Sequence, residues 1–305
     1  MTVSEELKKL DAERAAPPAN LYKFVVPDRL DALKNSCIRF TPPLNTNDLF
    51  EVRQTFDMIA GPKLVSFFRE VATDVDIEEP LADALKEVGL GAMSNDDVKA
   101  FVRMMGLGDF EATTRAMLDN FIGAMPDFMN DPTRVSQLLD RMAGNLLLLS
   151  LTEKMDSSPM WAHYAANSAG FAMAFDTAST FFLRGDKSEL NGLHKVRYFD
   201  GRVGEILDDP YAALISKQAD WSYEREWRLY VKPDQVTQVI QTGGDDVHLV
   251  AFPKEALQRV ILGTRATTEL ENEILALLSA EYPRAILTRV IADRGSASLV
   301  EVPIE

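Results

Sequence analysis

From about Phe50 to Asn145 the chain offers no good strand pattern, and on both sides of that block strands dominate. Within the block, apolar residues recur at helical spacing in residues 63–73, 80–88, 96–105, 110–121 and 132–143. Two caps support this reading: Ser94 lies ahead of Asp97, and Asp131-Pro132 pairs a capping side chain with a first-turn proline. The methionines of the block, among them Met104, Met105, Met117 and Met129, read as helix–helix packing; an adaptable binding face is the alternative. A strand-rich chain interrupted by so long a helical stretch folds as α+β rather than as a repeating βαβ layer. The expectation is a mixed, twisted β core with short helices, an N-terminal helical extension over residues 1–20, and a single domain over 21–305 that carries a helical insertion at 52–145.

The flanks alternate at the strand period. Strands are expected at residues 21–26, 37–41, 146–152, 171–176, 193–199, 223–231, 236–240, 247–252, 259–262, 285–291 and 299–302. Leu146 to Leu149 is apolar throughout and reads as a buried central strand. In Phe171 to Asp176 bulky residues alternate with Ala172 and Ala174, which leaves one face small enough for another element to approach. Short helices are expected after Pro27-Asp28, from Ser157 to Tyr164, over 210–217, and from the Thr267-Thr268 cap to about Ala280. Thr242-Gly243-Gly244-Asp245 reads as a hairpin turn.

The stretch Trp221 to Val231 concentrates the chemistry. As a strand from about Tyr223, it puts Glu224, Glu226, Arg228 and Tyr230 on one face and Trp227, Leu229 and Val231 on the other. The charged face is either a solvated surface of weak Glu–Arg pairs or the wall of a pocket. Three more polar clusters sit at strand edges: Tyr22-Lys23; Arg39 with Asn47, Asp48 and Glu51; and Trp161-His163-Tyr164. All four lie outside the helical block, which points to one site in the β-rich part. His163 has no His or Cys partner at ligand spacing, so no metal is expected; oxygen ligands from Asp48, Glu51 and Glu226 are the remaining metal option. Cys37 sits in strand context as a core residue, Ser150 and Ser168 lack a nucleophile elbow, and Gly243-Gly244 lacks the Lys-Ser/Thr of a phosphate loop.

Composition removes several function classes. A formal net charge of −15 disfavours nucleic-acid binding, which needs clustered Lys and Arg. No apolar run approaches the roughly 18 residues of a membrane span. The single cysteine excludes an intramolecular disulfide. With a polar stretch from Ser4 to Arg14 in place of a signal peptide, a cytoplasmic protein is expected.

The motifs Leu21-Tyr22-Lys23-Phe24, Ile38-Arg39-Phe40-Thr41-Pro42-Pro43, Asn47-Asp48-Leu49-Phe50-Glu51, Met160-Trp161-Ala162-His163-Tyr164-Ala165, Gly170-Phe171-Ala172-Met173 and Trp221 to Arg228 resemble, in that order, a bacterial and phage family known as domain of unknown function 2971. Leu49 stands where that family usually has proline. The opening Leu-Tyr strand and the closing Glu-x-Glu strand are also similar to the ADP-ribosyltransferase superfamily. That second resemblance implies NAD as co-substrate and transfer of ADP-ribose to a macromolecular acceptor; the bacterial and phage distribution of the first family implies a setting in phage defence or toxin action. It implies Glu226 as the essential carboxylate, with Glu224 orienting the acceptor and His163 in support. It places Tyr22, Lys23, Arg39, Asn47, Trp161, Tyr164 and Arg228 around the nucleotide, with Tyr164 and Phe171 flanking the nicotinamide. Lys23 occupies a position that carries His or Arg in that superfamily. The alternatives are a non-enzymatic binding module, with Trp161, Tyr164, Trp221 and Trp227 as its pocket, and a metal-dependent hydrolase or nuclease.

Overall fold

The structure, a computed structural model, describes residues 16–46, 52, 56–58, 61–74, 94, 110–183, 192–201, 203–205 and 212–304. The expected N-terminal helix, the helices at 80–88 and 96–105, and the loop from Asn47 to Glu51 lie outside the described residues. In chain order the strands are β1 (Asn20–Val25), β2 (Cys37–Phe40), β3 (Phe56–Met58), β4 (Leu147–Thr152), β5 (Phe171–Asp176), β6 (Leu193–Lys195), β7 (Arg197–Phe199), β8 (Val203–Glu205), β9 (Ser216–Gln218), β10 (Glu226–Val231), β11 (Gln238–Ile240), β12 (Val247–Ala251), β13 (Leu257–Leu262), β14 (Ile286–Asp293) and β15 (Ser298–Pro303).

The chain divides into two compact units. One takes the described parts of Met1–Thr55, Leu139–Arg202 and Tyr211–Glu305; the other takes those of Phe56–Leu138 and Val203–Pro210. In the second unit the helices Pro62–Asp74 and Phe110–Met129 pack together, and Arg69 Nε reaches Asp119 at 3.1 Å. Here β3 and β8 pair in parallel, so the described part of the block expected to be helical includes a short strand whose partner comes from far along the chain.

The first unit is α+β. Its main sheet runs β15-β14-β13-β5-β1-β4-β10-β6, and a three-stranded sheet runs β11-β12-β2. Only β13 and β14 pair in parallel within the main sheet, and the helix Thr268–Glu281 makes the crossover between them. Thr267 caps that helix as its sequence demands, accepting from the Leu270 amide, and Leu270, Ile274 and Leu278 turn inward. One large core gathers Leu21 and Val25 of β1, Leu149 and Leu151 of β4, Trp227, Leu229 and Val231 of β10, Ile38 and Phe40 of β2, and that helix. The sheet's other face is buried as well. Ala172 and Ala174 leave room there for Met160 and Trp161 on the helix Ser158–Tyr164, with Trp161 edge-on to Phe24.

Pairing along β1 is uneven, and this positions the site. Six register pairs join β1 to β5, but one pair, Tyr22↔Thr152, joins β1 to β4. Further along β4, Leu148 bridges instead to Thr41, just past β2. Between those two partners no described residue forms a ladder pair with β4 on this edge at Ser150, whose carbonyl is reached by Lys23 Nζ at 3.0 Å. The main sheet is therefore split over a few residues, and a cavity opens at the split.

Several expected boundaries move. The strand expected at 193–199 breaks at Val196 and serves two sheets as β6 and β7. The helix expected at 210–217 is shorter, Ala212–Ile215, and Lys217 belongs to β9. The strand expected from Tyr223 begins at Glu226, because Ala219–Glu224 is a 3-10 turn and Arg225 takes a left-handed conformation at φ 43°.

Gly170 sits where β5 meets the end of β1, and a Cβ added there would lie 2.1 Å from the Val25 carbonyl oxygen. Gly123, in the helix Phe110–Met129, has nothing within 4 Å of an added Cβ. Gly170→Ala is expected to cost about 1–3 kcal/mol in urea unfolding, because backbone must move to admit the methyl. Gly123→Ala is expected to gain about 0.5–1 kcal/mol through helix propensity.

Candidate active site

β10 is buried along its whole length on both faces, so its polar residues must be satisfied internally. Arg228 meets that need with a fork. Its Nε lies 3.0 Å from Glu226 Oε1 and its Nη2 lies 3.1 Å from Oε2. Its Nη1 donates to the Leu214 carbonyl, which also accepts from the Tyr230 hydroxyl. Lys217 Nζ, from β9, bridges the two acidic residues at 2.8 Å from Glu224 Oε2 and 3.4 Å from Glu226 Oε2. Tyr164 closes the chain by donating to Glu224 Oε1 at 2.5 Å. Glu224, Glu226, Lys217 and Arg228 are all at most 4 % exposed.

The convergence of the two carboxylates does not come from strand alternation. Glu224 ends the 3-10 turn, Arg225 reverses the backbone, and Glu226 starts the strand. The kink is pinned at four points. The Arg225 amide donates to Ser222, the Arg225 carbonyl accepts from the Glu153 amide, the Thr152 hydroxyl donates to the Glu224 carbonyl, and the Glu226 amide donates to the Tyr198 hydroxyl. Left-handed backbone at a non-glycine residue costs about 1 kcal/mol, which these bonds offset.

The cavity beside this cluster holds ≈180 Å³ and is lined by Tyr22 and Lys23 from β1, Ser150 and Thr152 from β4, Asn45 and Thr46 from the turn after β2, and Tyr164, Lys217, Glu224 and Glu226. By strand parity Lys23 belongs with Leu21 and Val25 on the core side, yet its amine lies in the gap between β1 and β4. Burial pushes that amine down to about 8, although Glu226 and Glu224 pull the other way. Burial works against ionisation of Glu226, but the charges of Arg228 and Lys217, with hydrogen bonds from Arg228 and Ser150, hold its carboxyl down to about 2. Glu226 is thus a fixed negative charge at the cavity wall rather than a proton donor. Burial raises the Tyr198 phenol, so the hydroxyl behind Glu226 stays protonated.

Of the expected site residues, Glu224, Glu226, Tyr22, Lys23 and Tyr164 meet at the cavity. Arg228 does not line it; it stands behind Glu226 as that residue's counter-charge. Arg39 is exposed on β2, because Ile38 and Phe40 take the inward positions, though its charge helps to lower Lys23. His163 is exposed beside Tyr223, with Nδ1 3.2 Å from that hydroxyl, and does not reach the carboxylates. Trp161 is fully buried, its Nε1 donating to the Met155 carbonyl, so it packs rather than binds. Phe171 and Trp227 are core residues too. Asn47, Asp48 and Glu51 lie outside the described residues. The solvated reading of the Glu–Arg face fails, since that face is sealed. Lys217 was missed: as the end of an expected helix it carried no signal, and only a Lys two residues past a buried apolar run marks it. Among the described residues no three His, Cys, Asp or Glu are grouped to hold a metal ion, and no helix is long and apolar enough to cross a membrane.

The fold and site define an α+β protein with a buried ion cluster beside a cavity in a split sheet. Residues 160–229 match the model of a family described as protein of unknown function (DUF2971), in line with the motif resemblance. The matched stretch takes in Tyr164, Lys217, Glu224, Glu226 and Arg228, and leaves out β1. No curated protein and no solved structure matches the chain.

Removing the Glu226 charge strands Arg228 and Lys217 in the interior. Glu226→Gln is expected to destabilise the protein by about 3–5 kcal/mol in urea unfolding. The folded carboxyl lies near 2, below its ordinary 4.5, so its stabilisation is present above 4.5 and is lost as pH falls toward 2. Acid titration of the wild type is expected to lose stability over that window, and the Gln variant to lose less.

Proposed function

We propose that this chain is an ADP-ribosyltransferase-like enzyme that cleaves NAD at the cavity and passes ADP-ribose to a macromolecular acceptor. The observation that carries the reading is Glu226, kept ionised by a two-pronged arginine and a lysine at the wall of the cavity, with Glu224 next to it. A buried ion cluster contributes little net stability compared with apolar residues of similar volume, so folding alone does not call for it. Strongly perturbed groups at a cavity are where catalytic work concentrates.

The donor set fits the nicotinamide–ribose end of NAD, since carboxylates accept from sugar hydroxyls and Tyr22 and Tyr164 offer aromatic surface. At ≈180 Å³ the cavity takes that end and leaves the rest outside. NAD supplies a glycosidic bond whose cleavage builds positive charge at the ribose carbon. Glu226 meets that charge without changing its own protonation, the economy of a preorganised site. Arg228 and Lys217 keep the carboxylate in place. Glu224, held by Tyr164 and Lys217, orients the acceptor.

A binding-only role has one observation in its favour. Trp221, Tyr223, His163 and Tyr164 form a run of neighbouring rings about 6 Å apart, with Lys217 Nζ 4.7 Å from the Trp221 ring. Such a face recognises a planar ligand without any chemistry.

One experiment separates the two. Wild-type protein with millimolar NAD is expected to release nicotinamide. Glu226→Gln, assayed below its lowered melting temperature, is expected to lower that rate about 100-fold, whereas Glu224→Gln, which also loses stability because Lys217 keeps one carboxylate fewer, is expected to leave nicotinamide release in place and to lower transfer to an added acceptor. NAD that quenches tryptophan fluorescence and is never cleaved would favour the binding role; no binding at all would remove the proposal.

A further inference from the structure

The cavity holds two lysines in opposite situations. Lys217 Nζ sits between Glu224 and Glu226, its charge met on two sides. Lys23 Nζ reaches one acceptor among the described residues, the Ser150 carbonyl at 3.0 Å, and no carboxylate lies within ion-pair range of it among them. An ammonium brings three donors and a full charge that need solvation, whereas a neutral amine needs far less. Lys23 is half-buried, issues from the split between β1 and β4, and lines the cavity. Its nitrogen is therefore both poorly solvated as a cation and open to whatever enters.

We propose that Lys23 is a nucleophilic amine that condenses with a small aldehyde or ketone in this cavity to form an imine. The Nζ lone pair forms the bond to the carbonyl carbon while the C=O π pair moves to oxygen, which takes a proton. Nζ gives up a proton, and the new hydroxyl takes another and leaves as water as the C=N bond forms. One amine, one carbonyl and one proton thus yield one protonated imine and one water, with no oxidant or reductant. The Tyr164 hydroxyl and Glu224 line the same cavity and are joined to each other, which makes them the proton relay. The protonated imine carries the same charge as the ammonium it replaces, and the carboxylates of Glu226 and Glu224 favour it. With the amine brought down to about 8 by burial, a neutral fraction is available near neutral pH. The cavity volume of ≈180 Å³ restricts the carbonyl compound to a small one. The inference does not rest on NAD cleavage.

The test uses the whole chain with glycolaldehyde and cyanoborohydride at pH 7, and reads each lysine by peptide mass spectrometry. Lys23 is expected to be modified about 10- to 100-fold faster than surface lysines of ordinary pKa, and Lys217 to stay unmodified. Lys23→Met is expected to abolish the fast phase, and Glu224→Gln to slow it. Modification of Lys23 at the surface-lysine rate, or a fast phase that survives in Lys23→Met, overturns the proposal. The site-resolved rates come from the wild type, so the answer stands even if a variant folds poorly.

Discussion

A guanidinium and a carboxylate two residues apart on one strand, both out of water, hold the centre of this protein. Arg228 and Glu226 satisfy each other through two hydrogen bonds, and Lys217 ties the same carboxylate to Glu224. Three cations, counting Lys23, stand against two carboxylates in this region. Taking either carboxylate away leaves buried cations uncompensated in a medium that solvates charge badly. The surrounding fold is arranged accordingly: Leu214 offers its carbonyl, Tyr198 receives the Glu226 amide, and Tyr164 and Ser150 add hydrogen bonds.

That cluster faces a cavity because the main sheet fails to close. A continuous β1–β4 ladder would have satisfied the Ser150 carbonyl with a backbone amide and left no room for a ligand. The single Tyr22↔Thr152 pair and the Thr41↔Leu148 bridge hold β4 on either side of the gap, and a lysine does what a strand would have done. The same gap explains why Lys23 lines the cavity despite its core-side parity. Packing against the apolar face through Leu149, Leu151, Trp227 and Leu229 keeps the two half-paired strands in place.

Much of the site could be read from the chain. The Glu224–Glu226 pair, Tyr22-Lys23 and Tyr164 were all marked by polar residues at the edges of apolar strands, and all five meet at one cavity. Sequence and structure part where one residue type serves two purposes. Trp161 and Trp227 have the size and amphipathic tip of binding residues, but each satisfies its indole N–H internally and fills the core. Arg228 looked like a ligand contact because its charge is the same whether it points at a phosphate or at a neighbouring carboxylate. His163 shares a short helix with Tyr164, and a rotation of about 100° per residue sends one side chain to the cavity and the other outward. Lys217 carries no such mark because the apolar run Ala212 to Ile215 predicts a helix over 210–217, whereas the helix ends at Ile215 and β9 starts at Ser216.

What the sequence determined by itself is the alternation: where strands run, which residues are apolar enough to be inside, and that a helical block interrupts them. Those follow from the period of each element and the aversion of apolar groups to water, both local properties of the chain. Which strands pair was left to the tertiary structure. So was the left-handed turn at Arg225 that brings Glu224 beside Glu226, and so was the burial of the charged face of β10. These depend on partners outside the strand itself, Glu153 and Tyr198 far away in sequence and Lys217 on the preceding strand, whose contacts outweigh the local preference of the residues they constrain.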